Sequence, residues 1–340
     1  MSRIPMIGVR LHGGEAPQHC IDVALIAEQH GFASVWFAEN AFSRGVLPAV
    51  AGTVVVTNRI KVGIGVFNPY NRHPTLIAME IGALDELASG RAALGIGSGI
   101  GDRVVSMGLS YDKPLGAVRD AITIVRGMMN GDAVTHQGNV FSVNKAKLEY
   151  VPPRPNMPIY MAAMGDQAIR LCGQVADGLM ISNLCPPGFA KRAWQLMQEG
   201  ADKVGRPRPS DVVQYVLCSV NEDRAQARAA ARKAIAGMLP PYWGLGERAP
   251  AVREAMLAGS DISPDECGNV VAQLKAGGDP NTLLDDRFVD AYALAGTVED
   301  CIEAAGRFGA VGVGELVLTL VGGNAADSIS LLGPALQANA

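Results

Sequence analysis

The chain contains no Cys-x-x-Cys and no His-Glu-x-x-His, and no glycine-rich run ends in the Gly-Lys-Ser/Thr of a P-loop. These absences remove the usual thiol-redox, zinc and P-loop nucleotide functions. The six cysteines (Cys20, Cys172, Cys185, Cys218, Cys267, Cys301) are scattered, which suits a reducing, cytoplasmic compartment better than a disulfide scaffold. The five histidines (His12, His19, His30, His73, His136) form no cluster with acids at ligand spacing, so no metal site is expected. Charge is sparse at 18% and nets to −4, with no basic block and no interleaving of basic and aromatic residues. Nucleic acid is therefore not an expected partner. No apolar run reaches the roughly 18 residues that suggest a membrane span. The opening Met1-Ser2-Arg3-Ile4-Pro5 has no apolar leader core.

What is abundant is glycine, 40 residues, in a chain that is 49% apolar. That combination suits a sheet covered on both faces and joined by tight strand–helix turns. At 340 residues the chain could hold two average domains or one large α/β barrel. Eight apolar runs read as strands: Met6–Leu11, Ser34–Ala38, Lys61–Phe67, Ala92–Ile96, Ile159–Ala163, Gly178–Ser182, Val212–Val220 and Glu315–Leu320. Between them the period is helical, as in Ile77, Ile81, Leu84 and Ala88, or Val118, Ile122, Val125 and Met129. Eight strand–helix units predict a (β/α)8 barrel, a TIM barrel, with a doubly wound open sheet as the alternative. A single domain, 1–340, is expected, since no low-complexity linker divides it. Two stretches break the alternation. Residues 131–150 read as a hairpin excursion. Residues 221–295 read as a helical insertion with no strand, interrupted at Pro240-Pro241.

The candidate site residues all follow strands. Lys61–Phe67 runs into Asn68-Pro69-Tyr70-Asn71-Arg72-His73-Pro74-Thr75, which places polar and cationic groups where α/β barrels bind ligands. Arg72 and His73 could bind an anion or supply an acid; the alternative for His73 is a helix cap. Trp36-Phe37-Ala38-Glu39-Asn40 brings a carboxylate and an amide to the same rim, against the alternative of a solvated loop acid. Gly95-Ile96-Gly97-Ser98-Gly99-Ile100-Gly101 lets backbone N–H groups approach a flat ring or a phosphate, although its spacing is not the dinucleotide fingerprint. Ala162-Ala163-Met164-Gly165-Asp166-Gln167 opens a helix, where free N–H groups favour an anion unless Asp166 caps them.

Taken together, Trp36–Asn40, Val62–Pro74, Leu84–Arg91, Gly95–Gly99, Pro158–Gly165 and Ala176–Gly178 resemble the bacterial luciferase-like flavin and deazaflavin oxidoreductases. Within that group they are most similar to the coenzyme F420-dependent 5,10-methylenetetrahydromethanopterin reductases. The resemblance covers residues 5–185 and, less closely, 296–321; residues 221–290 stand apart. It implies a luciferase-like (β/α)8 barrel and a non-proline cis peptide at Gly65–Val66 in a bulge behind the cofactor ring. Gly65, Val66, Asn68, Gly97, Ser98, Gly99, Ala163, Met164, Gly165 and Asn183 would then hold the cofactor. Two positions depart from those reductases: Arg10 stands where they carry an acid in the first strand, and Glu39-Asn40 where they carry an acid and a histidine. Glu39 is the candidate for orienting the ring or relaying a proton, and Asn40 for bonding substrate or ring. Arg10 and His73 are the candidate substrate contacts, Arg10 suiting an anionic substrate. The expected cofactor is F420, with FMN as the alternative. The expected reaction is hydride transfer to a small molecule. An FMN-dependent monooxygenase and a non-catalytic flavin or deazaflavin binder stay open as alternatives. Expected partners are the small-molecule substrate and further copies of the chain, as a homodimer or higher homo-oligomer.

Overall fold

The computed structural model describes residues 4–209 and 211–338. The strands are β1 (Met6–His12), β2 (Ser34–Ala38), β3 (Lys61–Phe67), β4 (Ala92–Ile96), β5 (Val134–Gln137), β6 (Ser142–Ala146), β7 (Ile159–Ala162), β8 (Gly178–Ile181), β9 (Asp211–Val220), β10 (Ala293–Gly296) and β11 (Glu315–Leu320). The helices are α1 (Pro17–Gln29), α2 (Leu47–Val56), α3 (Pro74–Leu87), α4 (Gly101–Ser106), α5 (Pro114–Met129), α6 (Asp166–Val175), α7 (Pro187–Lys203), α8 (Arg224–Leu245), α9 (Ala251–Leu257), α10 (Pro264–Lys275), α11 (Pro280–Leu283), α12 (Asp286–Tyr292), α13 (Val298–Gly309) and α14 (Ala325–Ala338).

Eight strands close into a ring in the order β1, β2, β3, β4, β7, β8, β9, β11 and back to β1, every pair parallel. This is the expected (β/α)8 barrel, and each of the eight apolar runs supplies one stave. The runs are apolar throughout because both faces are covered. Along β2, Val35 and Phe37 turn outward into the core beneath the helices, while Trp36 turns inward with Tyr160, Met180, Val213, Tyr215 and Val317. The Trp36 indole fills the barrel centre. Its Nε1 donates to Glu315 at 2.7 Å, and the ring stands edge-on to Tyr160 at 5.6 Å between centroids. It fits because its register partner on β3 is Gly63, where a Cβ would overlap the indole. Below it Glu315 also accepts from Ser34 and pairs with Lys61. The interior is therefore solid, and a ligand has to sit on top, at the carboxyl ends of the strands.

Proline occupies the first turn of α1, α2, α3, α5, α7, α10 and α11, where its missing N–H costs nothing. The excursion is an antiparallel hairpin of β5 and β6. Buried Asp120 of α5 holds it, accepting from the amides of Val140 at 2.7 Å and Phe141 at 3.1 Å.

The insertion, α8 to α12, falls between the seventh and eighth barrel strands and differs from the sequence expectation twice. It ends in a short strand, β10, whose residues pair from Ala293↔Leu217 to Gly296↔Val220. β9 is long and β8 pairs only with its first half, up to Gln214. The exposed upper edge of β9 therefore recruits Ala-Leu-Ala-Gly despite its low strand propensity. Nor do Pro240 and Pro241 interrupt α8, which runs through them to Leu245. Burial of Leu239 and Trp243 on either side holds the helix together, and Arg253 stacks on Trp243 while donating to its carbonyl at 3.0 Å. Tertiary packing overrides the proline penalty here.

Candidate active site

The rim is built first from the ends of β3 and β4. The Gly65–Val66 peptide is cis, and the β3–β4 register shifts between Ile64 and Phe67, which is the expected bulge. Val66 leans over the glycines of β4. A Cβ on Gly95 would lie 3.0 Å from Val66 Cγ1, and one on Gly97 would lie 2.9 Å from Val66 Cγ2 and 3.1 Å from Ala162 Cβ. The Gly97 amide donates to Phe67 O at 3.1 Å and ties the two strand ends together. Burial keeps the Tyr215 phenol protonated, and its hydroxyl donates to Gly65 O at 2.8 Å. A side chain on Gly65 would strike Tyr215 and Met180 inside the barrel rather than a ligand above it. Gly65→Val is thus a poor probe of the ring pocket.

The next turn closes over these strands. Asn68 is buried; its Oδ1 accepts from the Tyr70 amide at 2.9 Å, and its amide nitrogen rests against Gly99, which has φ +71°. Tyr111 donates to Ser98 Oγ at 2.9 Å. The structure therefore brings Val66, Asn68, Gly97, Ser98 and Gly99 together at the ends of β3 and β4, with Gly65 behind them facing the barrel interior. Alongside it, a cavity of about 610 Å³ lies between Tyr70, the Leu109–Lys113 segment and the hairpin tip at Asn139–Phe141.

Ala163, Met164 and Gly165 follow β7, the next stave round the ring. Gly165, not Asp166, is the N-cap of α6, and no side chain caps its first turn. Asp166 is diverted to Arg192, at 2.8 Å, so it leaves those N–H groups free. Asn183 follows β8, is buried, and accepts from Thr319 at 3.3 Å. Beside it, Ser182 bonds Tyr242 of α8 at 2.9 Å, which brings the insertion to the rim.

The charged groups sort differently from their order in sequence. Arg72 does not face the rim as a free cation. Its Nη2 donates to Glu39 Oε1 at 2.9 Å, its Nη1 pairs with Glu80, and its guanidinium stacks on Phe67 at 4.4 Å. Glu39 Oε2 is buried and has no hydrogen-bond partner among the described residues. Asn40, one residue on, is exposed. His73 caps α3: its Nδ1 accepts from the Thr75 amide at 3.3 Å, and burial lowers its pKa. Arg10 points into the barrel over the Tyr215 ring, 5.4 Å from its centroid, and makes no ion pair among the described residues. His12, two residues further along β1, has its pKa lowered by burial and then by the Arg10 charge. Tyr215, Met180 and Tyr242 were not singled out for the site from sequence. Alternation from Val213 to Tyr215 was the available signal for one, and the odd Pro-Pro-Tyr-Trp-Gly stretch for another. Among the described residues, no group of three or more His, Cys, Asp or Glu could hold a metal, and no helix is long and apolar enough to cross a membrane.

Residues 5–314 match the luciferase-like monooxygenase family, and the chain belongs to it. Within it the chain is 32% identical to the 5,10-methylenetetrahydromethanopterin reductase of Methanolobus tindarius, over 91% of this chain and 93% of that one. It is 29% identical to an F420-dependent glucose-6-phosphate dehydrogenase of Microbacterium testaceum, over 62% and 67%. Its fold matches the solved coenzyme F420-dependent tetrahydromethanopterin reductase of Methanopyrus kandleri with a TM-score of 0.83, at 22% identity and 98% coverage of both chains.

Proposed function

We propose that the protein is a coenzyme F420-dependent oxidoreductase that moves a hydride between the reduced deazaflavin and a small organic substrate at the barrel rim. The observation that carries this reading is the pairing of a side-chain-free cradle with one held carboxylate. Gly95 and Gly97 stand against the Val66 bulge and Gly99 against Asn68, and Glu39 has one oxygen pinned by Arg72 and the other buried without a partner among the described residues. Similarity to proteins named as F420-dependent enzymes supports the same cofactor. The substrates named for two of them differ, and the cofactor F420 is what their names share.

The residues present fit that group. A Cβ on Gly97 would crowd Val66 and Ala162 and one on Gly99 would crowd Asn68, so both positions keep the rim backbone free of side chains, whereas a Cβ on Gly165 would only touch Ala251 Cβ at 3.4 Å. In this reading Gly65, Val66, Asn68, Gly97, Ser98, Gly99, Ala163, Met164, Gly165 and Asn183 hold the cofactor, largely through backbone groups. When bound, the reduced deazaflavin supplies the hydride. The chain orients the two reactants and excludes water. Arg72 fixes the Glu39 carboxylate so that Oε2 takes up or passes on the proton that balances hydride transfer, and Asn40 bonds the substrate or ring. His73, engaged as a cap, contributes to substrate binding through its outer ring edge. The test is anaerobic oxidation of reduced F420 by 5,10-methylenetetrahydromethanopterin and by a panel of small carbonyl and imine compounds. Turnover on one of them is expected; tight F420 binding with no turnover on any would mark a binder instead.

Three further features belong to this reading. Residues 1–340 are proposed to fold as one domain, since the insertion's core includes Leu217 and Ala293 from the sheet. A homo-oligomer is proposed because α2 and α3 pack side by side and expose Val55, Val56, Met79 and Leu87. A cytoplasmic location is proposed because all six cysteines are buried and unpaired.

A further inference from the structure

We propose that Arg10 is the substrate's anchor, and that the substrate carries a carboxylate or phosphate group which docks on its guanidinium. This deepens the hydride-transfer reading and rests on it.

Arg10 is anomalous among the arginines near the barrel. Arg72 has Glu39 and Glu80, Arg126 has Asp177, Arg154 has Asp85, and Arg91 donates to the carbonyls of Val54, Thr57 and Ile60. Arg10 has no carboxylate within ion-pair reach among the described residues; its Nε, like that of Arg72, is buried with no partner among them. The acids inside the barrel are already committed, Glu315 to Lys61, Ser34 and Trp36, and Asp211 to Tyr160 at 2.7 Å. Tyr215 offers only its ring face, since its hydroxyl is given to Gly65. A half-buried guanidinium without a counter-charge can take one from a ligand, and its planar fork matches a carboxylate or phosphate.

Position assigns that oxyanion to the substrate rather than the cofactor. In the ring order, β1 and β11 lie across the barrel from β4 and β7, which carry the glycine cradle and the uncapped start of α6. On the Arg10 side stands the neutral hydroxyl of Thr319, which follows the register partner of Val9. It suits the polar remainder of a small, singly anchored molecule.

The test uses calorimetric titration of the full chain with inorganic phosphate and, separately, with acetate, with and without F420. Wild type should bind at least one of these anions in both states, and Arg10→Met should lose about tenfold or more in affinity. Arg10→Met should bind F420 like wild type and melt no lower, because it removes a half-buried charge that has no counter-charge among the described residues. Arg10→Lys keeps the charge without the fork; it should bind the anion more weakly than wild type and serves if Arg10→Met does not fold. Anion binding that ignores both substitutions overturns the proposal, as does no anion binding at all. F420 competing with the anion, together with loss of F420 affinity in Arg10→Met, assigns Arg10 to the cofactor and overturns it too. A lowered melting temperature in both variants makes Arg10 structural. If wild type binds no F420 yet keeps Arg10-dependent anion binding, the cofactor reading fails and the anion site stands.

Discussion

Replacing Glu39 by glutamine separates a working carboxylate from a structural one. Glu39 meets Arg72 at 2.9 Å with both side chains mostly buried, so the change removes a charge-assisted hydrogen bond. Breaking a buried pair is costly chiefly when it strands the partner. Here Arg72 keeps Glu80 and its stack on Phe67, and glutamine can still accept its hydrogen bond. We expect a loss of about 1–2 kcal/mol, seen as a few degrees in melting temperature. Proton work by Oε2 sets a different scale. Without it, turnover of reduced F420 at saturating substrate should fall about 100-fold, while the F420 dissociation constant stays near the wild-type value. Glu80→Gln is the matched control, since it removes the other partner of Arg72 and should cost similar stability with turnover kept. Full specific activity in Glu39→Gln would refute the role. Equal activity losses in both variants would assign the effect to Arg72's position instead of the Glu39 carboxylate.

Gly97→Ala places a methyl 2.9 Å from Val66 and 3.1 Å from Ala162; it should weaken F420 binding about tenfold, or about 1.4 kcal/mol, and an unchanged constant would argue against contact. Asp85 is fully buried, receives two hydrogen bonds from Arg154 at 2.8 and 2.6 Å, and accepts from the Ala92 amide at 3.2 Å. Asp85→Asn should cost about 3 kcal/mol in a denaturant titration without changing the activity of the folded fraction. His12 and His73 are held below the ordinary 6.5 mainly by burial, so the unfolded chain binds more protons there. The stability they confer is present above that value and drains as the pH falls through the folded pKa; His12→Gln should flatten that acid limb of the unfolding profile, and an unaltered limb would contradict it.

The barrel was legible because its strands are covered on both faces, and continuous apolar runs such as Ser34–Ala38 betray that. The bulge with its cis peptide was legible only through resemblance to a family. β10 was not, because Ala-Leu-Ala-Gly is a strand only where β9 overruns β8. The continuity of α8 was not legible, because local proline chemistry says nothing of the packing around Trp243. The rim glycines could be named, since backbone approach needs only their position. Charged residues were harder. Nothing local tells Arg72 that it will meet Glu39, 33 residues earlier, and nothing in a strand tells Arg10 that it will meet no acid. The Leu84–Arg91 motif marks the family, yet Asp85 and Arg91 clamp loops at the strand starts. His73 resolved as a cap, with Thr75 two residues on as its partner.

The most direct test of the account is an equilibrium titration of the purified chain with F420 and with FMN under identical conditions, followed by absorbance or fluorescence of each ring. The account predicts saturable, one-to-one binding of F420 at least about tenfold tighter than FMN, a difference of about 1.4 kcal/mol, and weakened by Gly97→Ala. Tighter binding of FMN, with oxygen uptake by the reduced complex, would contradict the central claim and make the protein a flavin monooxygenase on the same barrel.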